Sequence, residues 1–272
     1  MSTANTFVDG RDPWLQRLGN LRNVVRQAMV TRQLVAHLPE GPLRVLDVGA
    51  GQGTQALHLV ALGHEVTAVE PDGGMRAAFR QAARLLPEEA RVRVRLVAAD
   101  LAALDHTTSP AAYDAVLCHG VLMYLPAAGP AVSALARRLA PGGLLSLVAR
   151  NGDAMAWRPA LRRDWAGTLA MLDELEAARV EGRDATYRNE LGVAARADTV
   201  ASLSAACAVA GLEVERWYGI RVATDGVPLD EPAPQGAALS ALLDVEERLG
   251  RTDPYRQVAT LLHIVARRPG PA

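Results

Sequence analysis

Between residues 44 and 148, short apolar runs alternate with stretches of helical spacing, and this alternation restricts the fold more than any other feature. The runs are 44–48, 65–69, 92–98, 115–118 and 144–148; helix-period stretches lie near 54–62, 74–86 and 130–139. Apolar runs of this length joined through helices predict parallel βαβ units, with both faces of the sheet covered. The Pro141-Gly142-Gly143 turn is predicted to end the third helix and feed the strand at 144. Ahead of this block, Leu21, Val24, Val25, Ala28, Leu34, Val35 and Leu38 predict a helix over 21–38. Behind it, helices are predicted at 199–210 and 237–249, either side of a proline-rich loop over 226–235. Strands at 213–218 and 260–266 are expected to pair as a hairpin completing the sheet.

The chain has 272 residues and is 50% hydrophobic, which suits one large domain spanning 1–272 or a domain with an insertion. The core is expected over 20–150 and the last part of the sheet over 197–269. Residues 151–196 break the alternation. They hold Trp157 and Trp165, with seven arginines against eight acids, and so make no basic patch. They are expected to form a helical insertion or lid, with the tryptophans and Met171 packed inside. All 29 basic residues are arginine, and the net charge of −1 favours neither a polyanion nor a membrane surface. No apolar run is long enough to span a bilayer, and no basic segment precedes an apolar one at the start. Cys118 and Cys207 are far apart and lack metal-ligand spacing. A cytoplasmic protein without disulfides or a metal site is expected. The oligomeric state is left open.

The stretch Val45-Leu-Asp-Val-Gly-Ala-Gly-Gln-Gly-Thr-Gln55 places Gly49, Gly51 and Gly53 directly after the first strand. Glycine accepts positive φ and lets a ligand approach the backbone, and the following helix offers free N–H groups. The spacing is G-x-G-x-G, with Thr54 where a dinucleotide fingerprint has its last glycine. That fits an amino-acid carboxylate better than a pyrophosphate; a plain tight turn is the alternative for the loop alone. Glu70 ends the second strand, where an acid accepts from both hydroxyls of a ribose. Asp100 follows the third, where a carboxylate can accept from an adenine amino group. All three positions fall at the carboxyl ends of successive strands, where open α/β sheets bind ligands.

Together, DVGAGQG, AVEPD, AAD and the PGG turn resemble class I S-adenosylmethionine-dependent methyltransferases over roughly 20–150. The resemblance implies a Rossmann-like fold: a seven-stranded, mostly parallel sheet with helices on both faces and an antiparallel final strand. It implies S-adenosylmethionine as cofactor, held by Asp47, Gly49, Ala50, Gly51, Gly53, Glu70, Pro71, Ala99 and Asp100. NVVRQAMVTRQL, CHGVLMYL, SLVARNG, YGIRVATD and LLDVEERLGRTDPYRQVATLLHIVARRP further resemble the tRNA 5-carboxymethoxyuridine methyltransferases, nearly end to end. That likeness implies that Arg26 meets the cofactor carboxylate, that His119 lines the cofactor and substrate cleft, and that Arg221 meets an acceptor carboxylate. Its implied partner is tRNA.

Two features depart from this second family. The segment EGRDATYRNELGVAARADTV is of mixed charge where the relatives carry a lysine run, although Arg158, Arg162, Arg163, Arg188 and Arg196 can form a local stripe. Met123-Tyr124 replaces an acid and a tryptophan beside the acceptor. A small carboxylic acid or natural-product hydroxyl is therefore the alternative acceptor. With a hydroxyl or amine, His119 would serve as general base at near-neutral pKa. A non-catalytic binding protein and a nicotinamide-dependent oxidoreductase are the remaining alternatives.

Overall fold

A computed structural model describes residues 11–189 and 192–270. Its nine strands are β1 (Arg44–Val48), β2 (Glu65–Val69), β3 (Val94–Val97), β4 (Tyr113–His119), β5 (Leu139–Arg150), β6 (Ala185–Arg188), β7 (Ala194–Ala197), β8 (Glu213–Ile220) and β9 (Leu261–Arg267). Seven form one sheet in the order β3-β2-β1-β4-β5-β9-β8. The pairs among β1 to β5 are parallel, and β9 runs antiparallel to both neighbours. β9 therefore slots between β5 and β8, and the expected hairpin partner β8 becomes the edge.

Alternate residues of the central strands serve two cores. Leu46, Val48, Val116, Cys118, Leu145 and Leu147 pack on one face, with the helices Ala128–Ala136 and Val200–Val209. Val45, Ala115, Leu117 and Leu144 pack on the other, with Thr54–Ala61 and Gly73–Ala83. Burial on both faces is why these strands read as continuous apolar runs. The helix Leu21–Val35 sits against the carboxyl end of the sheet, packing Val25 and Met29 with Val148 and Ile220.

Three expectations change. The Pro141-Gly142-Gly143 turn lies inside β5. Pairing with β4 jumps from Tyr113↔Leu139 to Ala115↔Leu144, and Gly142 takes φ 76°. The glycines make a bulge, and the preceding helix ends earlier, at Ala136. The 151–196 segment is not wholly helical: after helices Trp157–Leu161 and Trp165–Glu181, β6 and β7 pair as an antiparallel hairpin. Its strands read ATYR and AARA, and alanine and arginine favour helices, so the local signal pointed the wrong way. Met171 packs against Met155, Ala178, Ala185 and Ala197, but Trp157 and Trp165 are 45% and 64% exposed. Among the described residues no helix is long and apolar enough to cross a membrane.

Candidate functional site

One cavity of about 430 Å³ opens at the carboxyl ends of the parallel strands. It collects Arg26, Asp47, Gly49, Ala50, Gly51, Glu70, Pro71, Ala99, Asp100, His119 and Arg221. Gly53 is not among the lining residues. It caps the helix Thr54–Ala61 at φ 90°, and a Cβ there would sit 2.6 Å from the Phe79 ring. Its glycine is required by packing. Gly49 has a similar constraint, since a Cβ would fall 2.2 Å from Val121 Cγ2. Gly51 differs: at φ 58° its missing side chain would meet open space.

Gly51 N–H donates to Glu70 Oε2 at 2.8 Å, and Asp72 N–H donates to Glu70 Oε1 at 2.8 Å. The β1 loop and the β2 tip are thus tied together, with acceptor capacity left on each Glu70 oxygen. Burial raises the Glu70 carboxyl, opposed by these two N–H groups. Asp47, 3% exposed, is pushed up to about 7 by burial and then by Glu70. Asp100 turns its carboxylate back to Ala103 N–H at 3.0 Å while still lining the cavity.

Arg26 stands over Trp14, 5.0 Å from the ring centroid, and Trp14 donates from Nε1 to Gln52 Oε1 at 3.0 Å. Burial and then the Arg221 charge lower Arg26 to about 10, which leaves it positive at neutral pH. Among the described residues no carboxylate pairs with it. Trp14 carried no motif, and only contact in space reveals it.

His119 ends β4 and starts a buried chain. His119 Nε2, Ser146 Oγ and His263 Nε2 are linked at 2.8 Å each, and His263 Nδ1 lies 2.8 Å from Gln33 Oε1. The Gln33 carbonyl oxygen only accepts, so His263 donates from Nδ1, Ser146 donates to His263 Nε2, and His119 donates from Nε2 to Ser146. His119 Nδ1 is left as a lone-pair acceptor with no partner. Burial, then His263 and Arg26, hold its pKa well below 6.5. The near-neutral general base expected from sequence is not what this environment provides.

Arg221, on the wall of the same cavity, is buried, at φ 64°, and ion-paired with Asp225. Arg158 Nη2 donates to the same carboxylate at 2.9 Å. Burial opposes ionisation of Asp225, but Arg221 and Arg158 outweigh it and hold this carboxyl well below its usual range. Glu246 fixes the turn by accepting from the N–H groups of Val222, Ala223 and Thr224 at 2.9, 3.0 and 2.9 Å. Arg150, the last residue of β5, also lines the cavity. The strand expected from sequence stops at Val148, two residues short of it.

The β6–β7 region reaches the same cavity. Asn189 Nδ2 donates to Tyr124 Oη at 3.0 Å, and Tyr187 and Met123 also line the cavity. Arg196 clamps the hairpin down, donating to the carbonyls of Leu122 and Leu125 at 3.0 and 2.9 Å and pairing with Asp184 and Asp198. The arginine stripe expected on this segment does not form, because Arg158 and Arg196 turn inward to buried acids. Among the described residues no group of three or more His, Cys, Asp or Glu could hold a metal ion.

Residues 46–147 match the family model of the methyltransferase domain. The chain is 28% identical over 255 residues to the tRNA 5-carboxymethoxyuridine methyltransferase of Escherichia coli strain K12, covering 92% of this chain and 91% of that protein. It is 34% identical over 150 residues to a ubiquinone biosynthesis O-methyltransferase of Xanthomonas oryzae pv. oryzae, covering 54% and 57%. Its fold matches the Burkholderia thailandensis 1,6-didemethyltoxoflavin-N1-methyltransferase with bound 1,6-didemethyltoxoflavin and S-adenosylhomocysteine. That match has TM-score 0.54 and 20% identity, and covers 97% of this chain and 84% of that one.

Proposed function

We infer that this chain, a methyltransferase by the domain it carries at 46–147, takes its methyl group from S-adenosylmethionine and delivers it to a carboxylate, with 5-carboxymethoxyuridine of a tRNA wobble position as acceptor. The observation that carries the reading is one cavity lined by two sets of polar groups. The first set is Glu70 for a ribose, the N–H groups of the β1 loop, and Arg26, which has no carboxylate partner among the described residues. Asp47, its carboxyl pushed up to about 7 by burial and then by Glu70, suits an α-ammonium group, which would draw it into its charged form. These groups fit an adenosyl amino acid. The second set is Arg150, Arg158 and Arg221, which line the same cavity as Tyr187 and Asn189.

S-adenosylmethionine supplies an electrophilic methyl on a sulfonium. A carboxylate is already ionised at neutral pH, so the protein needs no strong base. Its residues have to orient the acceptor oxygen for in-line attack and to exclude water. Neutral His119, which lines the cavity, adds no positive charge beside a sulfonium. The full-length likeness to a tRNA-modifying enzyme supports the nucleic-acid acceptor.

The experiment is mass spectrometry of tRNA nucleosides from cells with and without the gene. The methyl ester of 5-carboxymethoxyuridine is expected only where the gene is present; its absence from both would reject the tRNA acceptor. The inward turn of Arg158 and Arg196 favours a second reading, a small carboxylic acid or hydroxyl acceptor, because the 151–196 segment then shows little positive charge for phosphates.

A further inference from the structure

We propose that Arg150 is the residue that anchors the anionic group of the methyl acceptor, a specificity role that would otherwise fall to Arg221. The proposal rests on the carboxylate reading given above.

Arg150 closes β5, opposite Leu261 of β9, and is 6% exposed while lining the cavity. Its one hydrogen bond within the described residues runs from Nη1 to the Thr260 carbonyl at 3.2 Å. Its Nε–H is buried and has no partner. The Tyr187 ring lies 5.6 Å from the guanidinium carbon and gives the cation a π face, not a counter-charge. Arg221 differs from it in counter-charge, not in the state of its Nε–H. Asp225, four residues on, is ion-paired with it, and Arg158 shares the same carboxylate. Asp225 is thereby engaged by two other guanidinium groups.

A buried guanidinium with an unused Nε–H is costly, and an incoming anion recovers that cost through charge-assisted hydrogen bonds. A planar fork that has spent one Nη on a carbonyl still offers Nε–H and the second Nη along one edge, the edge suited to a carboxylate. Arg221 and Arg158, locked to Asp225, shape the wall around that group. The acceptor class this defines is a molecule that carries a carboxylate. One oxygen is held at Arg150; the lone pair of the other forms the new C–O bond, as the S–C bond breaks with its electron pair returning to sulfur. No proton moves.

The test uses the whole protein labelled with 15N at arginine Nε and saturated with S-adenosylhomocysteine. The Arg150 signal is identified by its loss in Arg150→Gln or, should that variant fail to fold, in Arg150→Lys. The probes are 5-carboxymethoxyuridine, acetate and uridine. The Arg150 signal is expected to shift with both carboxylates and to stay put with uridine. Arg150→Gln is expected to weaken 5-carboxymethoxyuridine binding on the order of thirty-fold or more, as truncating one partner of a buried charge pair does, with affinity for S-adenosylhomocysteine unchanged. A shift with acetate but not with 5-carboxymethoxyuridine would uphold Arg150 as the anion anchor and reject the wobble-uridine acceptor. A signal indifferent to every carboxylate, or carboxylate affinity equal in wild type and Arg150→Gln, would overturn the proposal.

Discussion

Asp47 is buried at the end of β1, and burial together with Glu70 pushes its carboxyl from 3.8 up to about 7. The folded protein then holds this proton more tightly than the unfolded chain. Its contribution to stability is fully present at low pH and is lost as pH rises from about 4 to about 7. Asp47→Asn is expected to remove that dependence. In urea unfolding without ligand, the variant should gain on wild type between pH 5 and pH 8, by on the order of a few kcal/mol. An equal stability difference at both pH values would contradict a raised Asp47. Its motif was legible in sequence, as were Glu70 and the glycines, because chain position and residue type alone mark them. The state of His119 was not. Its low pKa comes from burial and then from His263 and Arg26, which are distant in sequence. For Arg221 the sequence offers a bridge to Asp225 or Glu231 as the alternative to an acceptor contact, and the structure pairs it with Asp225.

At the scale of elements, the hairpin β6–β7 is the part that sequence patterning misassigned, and Arg196 ties it to the turn after β4. Arg196 reaches Leu122 and Leu125 in the turn after β4 and neutralises Asp198, which is fully buried. Removing one partner of a buried ion pair strands the other, at a cost of roughly 3–5 kcal/mol. Arg196→Ala is expected to lose about that much in denaturant unfolding, and hydrogen exchange should rise first in 185–197. Loss confined to the unfolding midpoint, with the hairpin as protected as in wild type, would argue against the clamp. The strands of the main sheet were far easier to read than this pair. They are buried on both faces and carry long apolar runs, whereas β6 and β7 are four residues each and rich in alanine.

For the whole molecule, the alternation of strands and helices fixed the order of the parallel units and put every strand-tip motif on one side of the sheet. It did not reveal that β9 inserts between β5 and β8, which depends on pairing far along the chain. Nor did it reveal how the arginines distribute between cavity and surface, since a net charge of −1 is silent on that. The central claim is that this cavity seats an adenosyl amino acid between the β1 loop and Glu70. Calorimetric titration of wild type and Glu70→Ala with S-adenosylmethionine, S-adenosylhomocysteine and NAD tests it directly. Wild type should bind the two sulfur compounds and ignore NAD, and Glu70→Ala should lose at least about tenfold in affinity for both, the loss of one charge-assisted contact. Tight NAD binding without a response to either sulfur compound, or undiminished affinity in Glu70→Ala, would contradict it.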